Sequence, residues 1–298
     1  MTLPPLYKYL DVQGAMLTLG NLTFKHSKPS DFEDTLDLTV YSLFPEKLDA
    51  ALSKIEHGFQ DLILQHLCEL PTCGSPLKEQ VASLQHVYRT NFGAADVVKA
   101  EIANRQSEPV FDVVTIQALA NDFLDEINEL LQDYRVLCVS TCIDSEDMWS
   151  RYAENHEGIA LRIDPNVAKD SKFKLFRPIV YRDARPTFYE NSLDFVAHSL
   201  FGSQQANRTA AIDRIIYAKT RKWEHESEYR LALPSFSDEQ QWNTQSYHRE
   251  EITELYLGMA LKADDGRAIV LRALAINPEI KVFEGKPGYG RVRFRDAL

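Results

Sequence analysis

The sequence predicts an α+β fold, a mixed β-sheet core with a long helical insertion after the second strand, because strand-like and helix-like patterns are segregated along the chain. Short alternating or continuous apolar runs occupy both ends. Between Pro45 and Asp133, apolar residues instead recur three or four apart: Leu48, Leu52, Ile55 and Phe59, then Leu119, Phe123, Ile127, Leu130 and Leu131. The strand pattern returns with Tyr134-Arg-Val-Leu-Cys-Val-Ser140, an apolar run of the kind carried by a buried central strand. We read residues 1–298 as a single α+β domain in which 45–133 form a helical insertion or lobe.

Taken in order, Leu6-Tyr7-Lys8-Tyr9 opens as a strand, a helix runs from about Asp11 to Leu19, and Gly20 turns the chain into a second strand at Leu22 to Phe24. A polar loop from Lys28 to Asp37 holds four carboxylates, Asp31, Glu33, Asp34 and Asp37. Within the helical region, Pro71-Thr-Cys-Gly-Ser-Pro76 is the clearest break. After the strand ending at Ser140, Asp144 or Ser145 caps a short helix with acidic residues in its first turn. Gly158 supplies a left-handed stop before a strand at Ile159 to Ile163. A strand from Phe176 to Tyr181, helices from Phe188 to about Lys222, a strand from Glu226 to Leu233 and a polar loop from Ser235 to Gln245 follow. Strands at Ile252 to Leu257, Ile280 to Phe283 and Val292 to Phe294 complete the chain, with a helix from Asp264 to about Ala275 and a turn from Gly285 to Gly290.

With 44% hydrophobic and 10% aromatic residues, the chain can bury a sizeable core and is not of disordered composition. Its opening lacks the charged and apolar regions of a leader peptide, and no segment approaches the roughly 18 apolar residues of a membrane helix. The expectation is a cytoplasmic protein without a membrane partner. The pairs Cys68/Cys73 and Cys138/Cys142 lack the histidine flanks of a zinc site and read as reduced thiols, the second pair on or beside a buried strand. A formal charge of −11 argues against broad nucleic-acid binding. Local basic clusters remain, in Arg208, Arg214, Lys219, Arg221, Lys222 and Arg230 and in Arg291, Arg293 and Arg295, which either focus an anion or neutralise nearby acids.

The stretch most informative for chemistry is Lys219-Thr-Arg-Lys-Trp-Glu-His-Glu-Ser-Glu-Tyr-Arg230. Strand alternation places Glu226, Glu228 and Arg230 on one face, as in a polar site, although a charged edge strand carries the same pattern. Trp149 and Tyr152 share a helix face and read as core, and His156 as a helix-end cap.

These segments together resemble the bacterial and phage family called domain of unknown function 2971. The resemblance rests on Leu6-Tyr7-Lys8-Tyr9, Phe32-Glu33-Asp34-Thr35, the strand end at Ser140, Met148-Trp149-Ser-Arg-Tyr152-Ala153-Glu-Asn-His156-Glu-Gly158, and Lys219 to Arg230. In the second of these, Glu33 and Thr35 stand where the family pattern has Asn and Pro. The order of motifs is in turn similar to that of ADP-ribosyltransferases, in which a first-strand basic residue and a middle-strand Ser or Tyr hold NAD and a late Glu engages the nicotinamide ribose.

That likeness implies a nucleotide-using transferase in a defence or toxin role, acting on an unidentified macromolecular target. Tyr7, Lys8 or Tyr9 would contact NAD, Ser140 would shape its pocket, and Glu228 with Glu226 would be catalytic. Its diphosphate would fall to Lys222, Arg230 or Arg151. Tyr7 or Lys8, Ser140, Arg151 and the Glu226/Glu228/Arg230 face are expected to line one cleft, with Glu228 replaceable by Gln without loss of stability. The alternative for Glu226 and Glu228 is an ion pair with Arg230 or Arg151 that braces the sheet. Two other readings stand beside the transferase: a metal-dependent phosphodiesterase using Asp31, Glu33, Asp34, Asp37, Glu226 and Glu228, and a non-catalytic sensor or partner-binding protein.

Overall fold

A computed structural model of the chain describes residues 3–74, 77–105, 113–202, 205–235 and 243–297. Pro76, the middle of the loop expected after Ser235, and the side chain of Arg208 lie outside the described residues. The chain divides into two compact units, one of Met1–Asp37, Gln132–Arg185 and Tyr217–Leu298, the other of Leu38–Leu131 and Pro186–Ile216.

The first unit opens with β1 (Leu6–Leu10), α1 (Val12–Asn21) and β2 (Thr23–His26). Asp11 caps α1 by accepting from the Gly14 backbone, and the left-handed residue that ends it is Leu22, so the turn expected at Gly20 comes two residues later. In the second unit, α2 (Leu48–Gln65), α3 (Leu77–Thr90), α4 (Ala95–Arg105) and α5 (Val113–Gln132) follow the three-to-four spacing. The stretch 48–132 contributes no strand among its described residues.

The sheet resumes with β3 (Tyr134–Ser140), α6 (Glu146–Tyr152), capped by Ser145, and β4 (Ile159–Ile163). The strand expected over Phe176 to Tyr181 is two short pieces, β5 (Arg177–Pro178) and β6 (Val180–Arg182), because the backbone between them turns at Ile179 to reach the Glu228 carbonyl. Helices α7 (Ser192–Phe201) and α8 (Gln205–Ile216) end before Lys222, and β7 (Ala218–Thr220) intervenes. Then come β8 (Glu228–Pro234), β9 (Asn243–Ser246), β10 (Ile252–Leu257), α9 (Ala263–Ile276), β11 (Lys281–Pro287) and β12 (Val292–Asp296).

Eight strands form the main sheet in the order β12-β11-β10-β4-β1-β3-β8-β5, with β10 and β11 parallel and the remaining pairs antiparallel. β2 lies outside it, paired with β9, and β6 pairs with β7. Alternation along the strands sorts the core into two faces. Leu6, Leu137, Leu161, Leu231 and Leu255 pack with α1 and α9 through Ala15, Leu19, Ile269 and Ala273. Tyr7, Tyr9, Ala160 and Tyr256 pack on the other face with Met148 and Trp149 of α6. Trp149 is fully buried, as its place on the helix suggested.

The helical unit is knit by buried polar clasps as well as by Ile55, Phe59, Ile63, Ile127 and Phe195. The Asn128 side chain both accepts from the Val40 backbone at 2.9 Å and donates to the Val40 carbonyl at 3.0 Å. Gln85 donates to the carbonyls of His66 and Glu69, closing the end of α2.

The turn after α6 departs from the expected glycine stop. Three consecutive non-glycine residues, Glu154, Asn155 and His156, take left-handed φ values of 49°, 51° and 69°. Such residues cost about 1–2 kcal/mol each, so surrounding packing has to hold them. The Trp149 ring stacks on His156, and the His156 backbone donates to the Trp149 carbonyl. Gly158 is required for space instead: a Cβ there would lie 2.2 Å from the Leu10 carbonyl oxygen, and one on Gly258 would lie 2.1 Å from that of His156. We expect Gly258→Ala to lower stability by about 1–3 kcal/mol through overpacking against backbone. Urea unfolding of the two chains checks this, and equal midpoints would contradict the close approach.

Candidate functional site

Strand register brings the expected residues together. Tyr7 lies opposite Ser140, and Ser140 lies opposite Glu228, so three strands present them side by side on one face. The row continues the other way through Arg162, Glu254 and Lys281, forming a polar band across six strands. Arg162 donates to Glu254 at 3.1 Å and to Asp164 at 3.2 Å, so this half of the band is internally neutralised.

β1 and β3 meet at a single register pair, Tyr7 with Ser140. Beyond it they part: Val136 exchanges backbone hydrogen bonds with Ser27 instead, and the Lys8 ammonium reaches across to donate to the Cys138 carbonyl at 3.1 Å. A cavity of about 320 Å³ lies at this split, lined from β1 by Tyr7, Lys8 and Tyr9, from β3 by Cys138 and Ser140, and from β8 by Glu228 and Arg230. The loop before Leu38 adds Phe32, Glu33, Asp34 and Asp37, and the turn before β8 adds Lys219, Trp223 and Glu226.

Glu226 arrives by a different route from the one strand alternation suggested. It ends a 3₁₀ helix over Arg221–Glu226, and Ser227 then takes a left-handed φ of 45° before β8 begins. Residues three apart eclipse in a 3₁₀ helix, so Trp223 and Glu226 face the same cavity. The Ser140 hydroxyl donates to the Glu226 carbonyl at 2.6 Å and accepts from the Cys142 backbone, so it fixes this turn in place.

The floor is a buried charge network. Arg230, fully buried, donates to Glu228 through Nε at 2.6 Å and to Asp37 through Nη2 at 2.5 Å. Lys219 donates to Glu226 at 2.5 Å and to Glu228 at 3.0 Å. The Tyr152 hydroxyl donates to the other oxygen of Glu226 at 2.6 Å, and the Tyr181 hydroxyl accepts from the Glu228 backbone. Burial alone would raise the Glu228 pKa, but Arg230 and Lys219 outweigh it and bring it down to about 2. Burial opposes the charge on Lys219 as well, and Glu228 and Glu226 raise its pKa all the same. At Tyr152 burial and Glu226 both push the hydroxyl upward, so it stays a donor.

Glu228 is therefore a paired carboxylate only 5% exposed, with Lys219 and Arg230 as cationic partners, and these partners favour a stability cost on neutralising it. The sheet-bracing ion pair with Arg230 is present, and it forms the cavity floor. Arg151 and Lys222 do not line the cavity. They are 45% and 59% exposed, bridge Glu33 and Asp34, and lie over the Trp223 ring with the guanidinium carbon at 5.5 Å and the ammonium at 5.0 Å from its centroid. Asp34 is held below the usual carboxylate range: burial works the other way, but the Trp223 indole donates to it at 2.8 Å.

Lys219, Asp37 and Tyr181 were not singled out by sequence reasoning as cofactor-binding or catalytic residues. Lys219 had a signal, as the first residue of its motif; Tyr181 had none. Among the described residues no group of three or more His, Cys, Asp or Glu side chains is disposed to hold a metal ion, and no helix is long and apolar enough to cross a membrane. The four cysteines are free.

Glu228→Gln should cost about 3–5 kcal/mol at pH 6, because it leaves buried cations short of a counter-charge. Glu228 titrates near 2 when folded against an ordinary 4.5, so its contribution is fully present above about pH 4.5 and is lost as pH falls toward 2. Urea melts at pH 6 and pH 3 should show the gap between wild type and variant narrowing with acidity. A gap independent of pH contradicts the charge network.

Residues 148–231 match the model of a family described as protein of unknown function (DUF2971), the family that the sequence motifs resemble. That stretch runs from α6 to the middle of β8 and so carries Tyr152, Lys219, Trp223, Glu226, Glu228 and Arg230. No curated protein and no solved structure matches the chain.

Proposed function

We propose that the cavity binds a pyridinium nucleotide such as NAD and cleaves its glycosidic bond, in the manner of an ADP-ribosyl transfer enzyme. The observation that carries this reading is the convergence, at the split of the sheet, of a basic residue on the first strand, a serine at the end of a middle strand and a glutamate on a late strand: Lys8, Ser140 and Glu228.

The charge pattern supports the same ligand. Asp37, Glu226 and Glu228 formally exceed Lys219 and Arg230 by one negative charge in the buried network. An acidic floor suits a cationic nicotinamide ring, and Tyr152 and Trp223 offer aromatic walls. The phosphates would sit outward, where Arg151 and Lys222 flank Trp223. When the bond breaks, nicotinamide leaves with the bonding electron pair and positive charge develops on the ribose. A fixed negative field stabilises that charge, an effect typically worth about 10²–10³ in rate per contact. Glu226 is the better placed carboxylate for this role, since one oxygen has Tyr152 as its partner and the hydroxyl can be exchanged for a ribose hydroxyl. The reading includes a defence or toxin role, which rests only on the likeness of motif order to ADP-ribosyltransferases, and the acceptor of ADP-ribose would be a macromolecule or water.

The test is nicotinamide release from NAD by the purified chain, with and without a cell extract supplying acceptors. Glu226→Gln should lower kcat by at least 100-fold. Arg151→Ala and Lys222→Ala should each raise KM about tenfold without moving the melting temperature, since both are largely exposed. A wild-type chain that neither consumes NAD nor gains thermal stability from nicotinamide or NAD would sink the reading.

A further inference from the structure

The charge network leaves one cavity cation outside it. Asp37, Glu226 and Glu228 are engaged by Lys219 and Arg230, and Lys8 has no carboxylate within 4.0 Å among the described residues. Its ammonium makes one described hydrogen bond, to the neutral Cys138 carbonyl at 3.1 Å, although an ammonium has three donors. Lys8 stays in that place because β1 and β3 part immediately after Tyr7 and Ser140, so its side chain fills the gap between strands and borders the cavity.

The charged and titratable groups around it are mixed. Burial lowers its pKa first, with Lys25 acting in the same direction and the Cys138 thiol and Glu228 opposing. His26 is fully buried, its own pKa lowered to about 4 by burial and by Lys8. A lysine amine held this way spends more time unprotonated than a solvent lysine and carries a nucleophilic lone pair.

We propose that Lys8 is a nucleophilic amine that captures a neutral or cationic aldehyde or ketone in this cavity as an imine. The Nζ lone pair attacks the carbonyl carbon, and the amine proton passes to the carbonyl oxygen to give a carbinolamine. The carbinolamine hydroxyl takes up a second proton and leaves as water while the nitrogen lone pair forms the C=N bond, and the resulting iminium returns a proton from nitrogen to give the neutral imine. The acidic lining disfavours an anionic carbonyl compound, and the tyrosines and Trp223 favour an aromatic one. This activity is independent of NAD cleavage: either can fail while the other stands.

The experiment uses the full wild-type chain. Protein is treated with 4-pyridinecarboxaldehyde and cyanoborohydride across pH 6 to 10, and peptide mass spectrometry follows each lysine. Lys8 should be modified at least tenfold faster than the exposed Lys222 at pH 7, with its rate rising at lower pH than that of Lys222. Glyoxylate, which is anionic, should modify Lys8 at least tenfold more slowly than the pyridine aldehyde. Lys8 modified no faster than Lys222, or with the same pH midpoint, overturns the proposal, and equal rates for the two aldehydes overturn the stated ligand class. A Lys8→Arg chain serves as a control, and loss of the Lys8 adduct with an otherwise unchanged lysine profile supports the assignment.

Discussion

Much of the site depends on how Arg230 is buried. A guanidinium cannot shed its charge at accessible pH, so placing it at 0% exposure forces carboxylates to follow it inward. Glu228, two residues away on the same strand face, supplies one, and Asp37 from the far end of the acidic loop supplies the other. Asp37 thereby ties the end of that loop to β8, and Lys219 ties the turn before β8 to the same cluster. The fork geometry of the guanidinium matters here, because Nε reaches Glu228, Nη1 reaches Asp37 and Nη2 donates to both, and a point charge would not fix both directions.

Much of this arrangement was legible in the sequence where local pattern and tertiary structure agree. The apolar run 134–140 is β3, the helix cap is Ser145, one of the two residues the sequence offers, and Lys8, Ser140, Glu226, Glu228 and Arg230 border one cavity. The errors arose where a single backbone dihedral decides direction. Ser227 in the left-handed region breaks the alternation assumed for Glu226 to Arg230, and nothing in the composition of that stretch announces it. Gly158 was assigned conformational freedom when its role is to leave room for the Leu10 carbonyl, a close approach only three-dimensional packing creates. Arg151 and Lys222 looked like cavity residues from their motifs and sit at its edge, because a motif fixes spacing along the chain but not depth.

The network also makes bracing compatible with the electrostatic role proposed above, as Glu228 shows. A carboxylate with fixed cationic partners is held rigidly and stays ionised, which suits a group meant to act through its field. Proton transfer would need a pKa nearer neutrality, and Glu228 lies far below that. Glu228 thus suits an electrostatic part in the proposed function, and Lys8 the bond-forming part proposed for it.

The single register pair between β1 and β3 makes the large sheet two smaller sheets sharing a seam, β12 to β1 on one side and β3 to β5 on the other. Elsewhere in that sheet at least two register pairs join neighbours, so the seam is the boundary with the fewest register pairs. Side chains do the joining there: Lys8 to the Cys138 carbonyl and Tyr9 to that of Cys142. The two half-sheets are therefore stitched by side chains that also line the cavity, and a molecule held there would act as a missing set of rungs. A molecule that bound there only while the seam was closed would oppose its opening, since binding to one state alone stabilises that state.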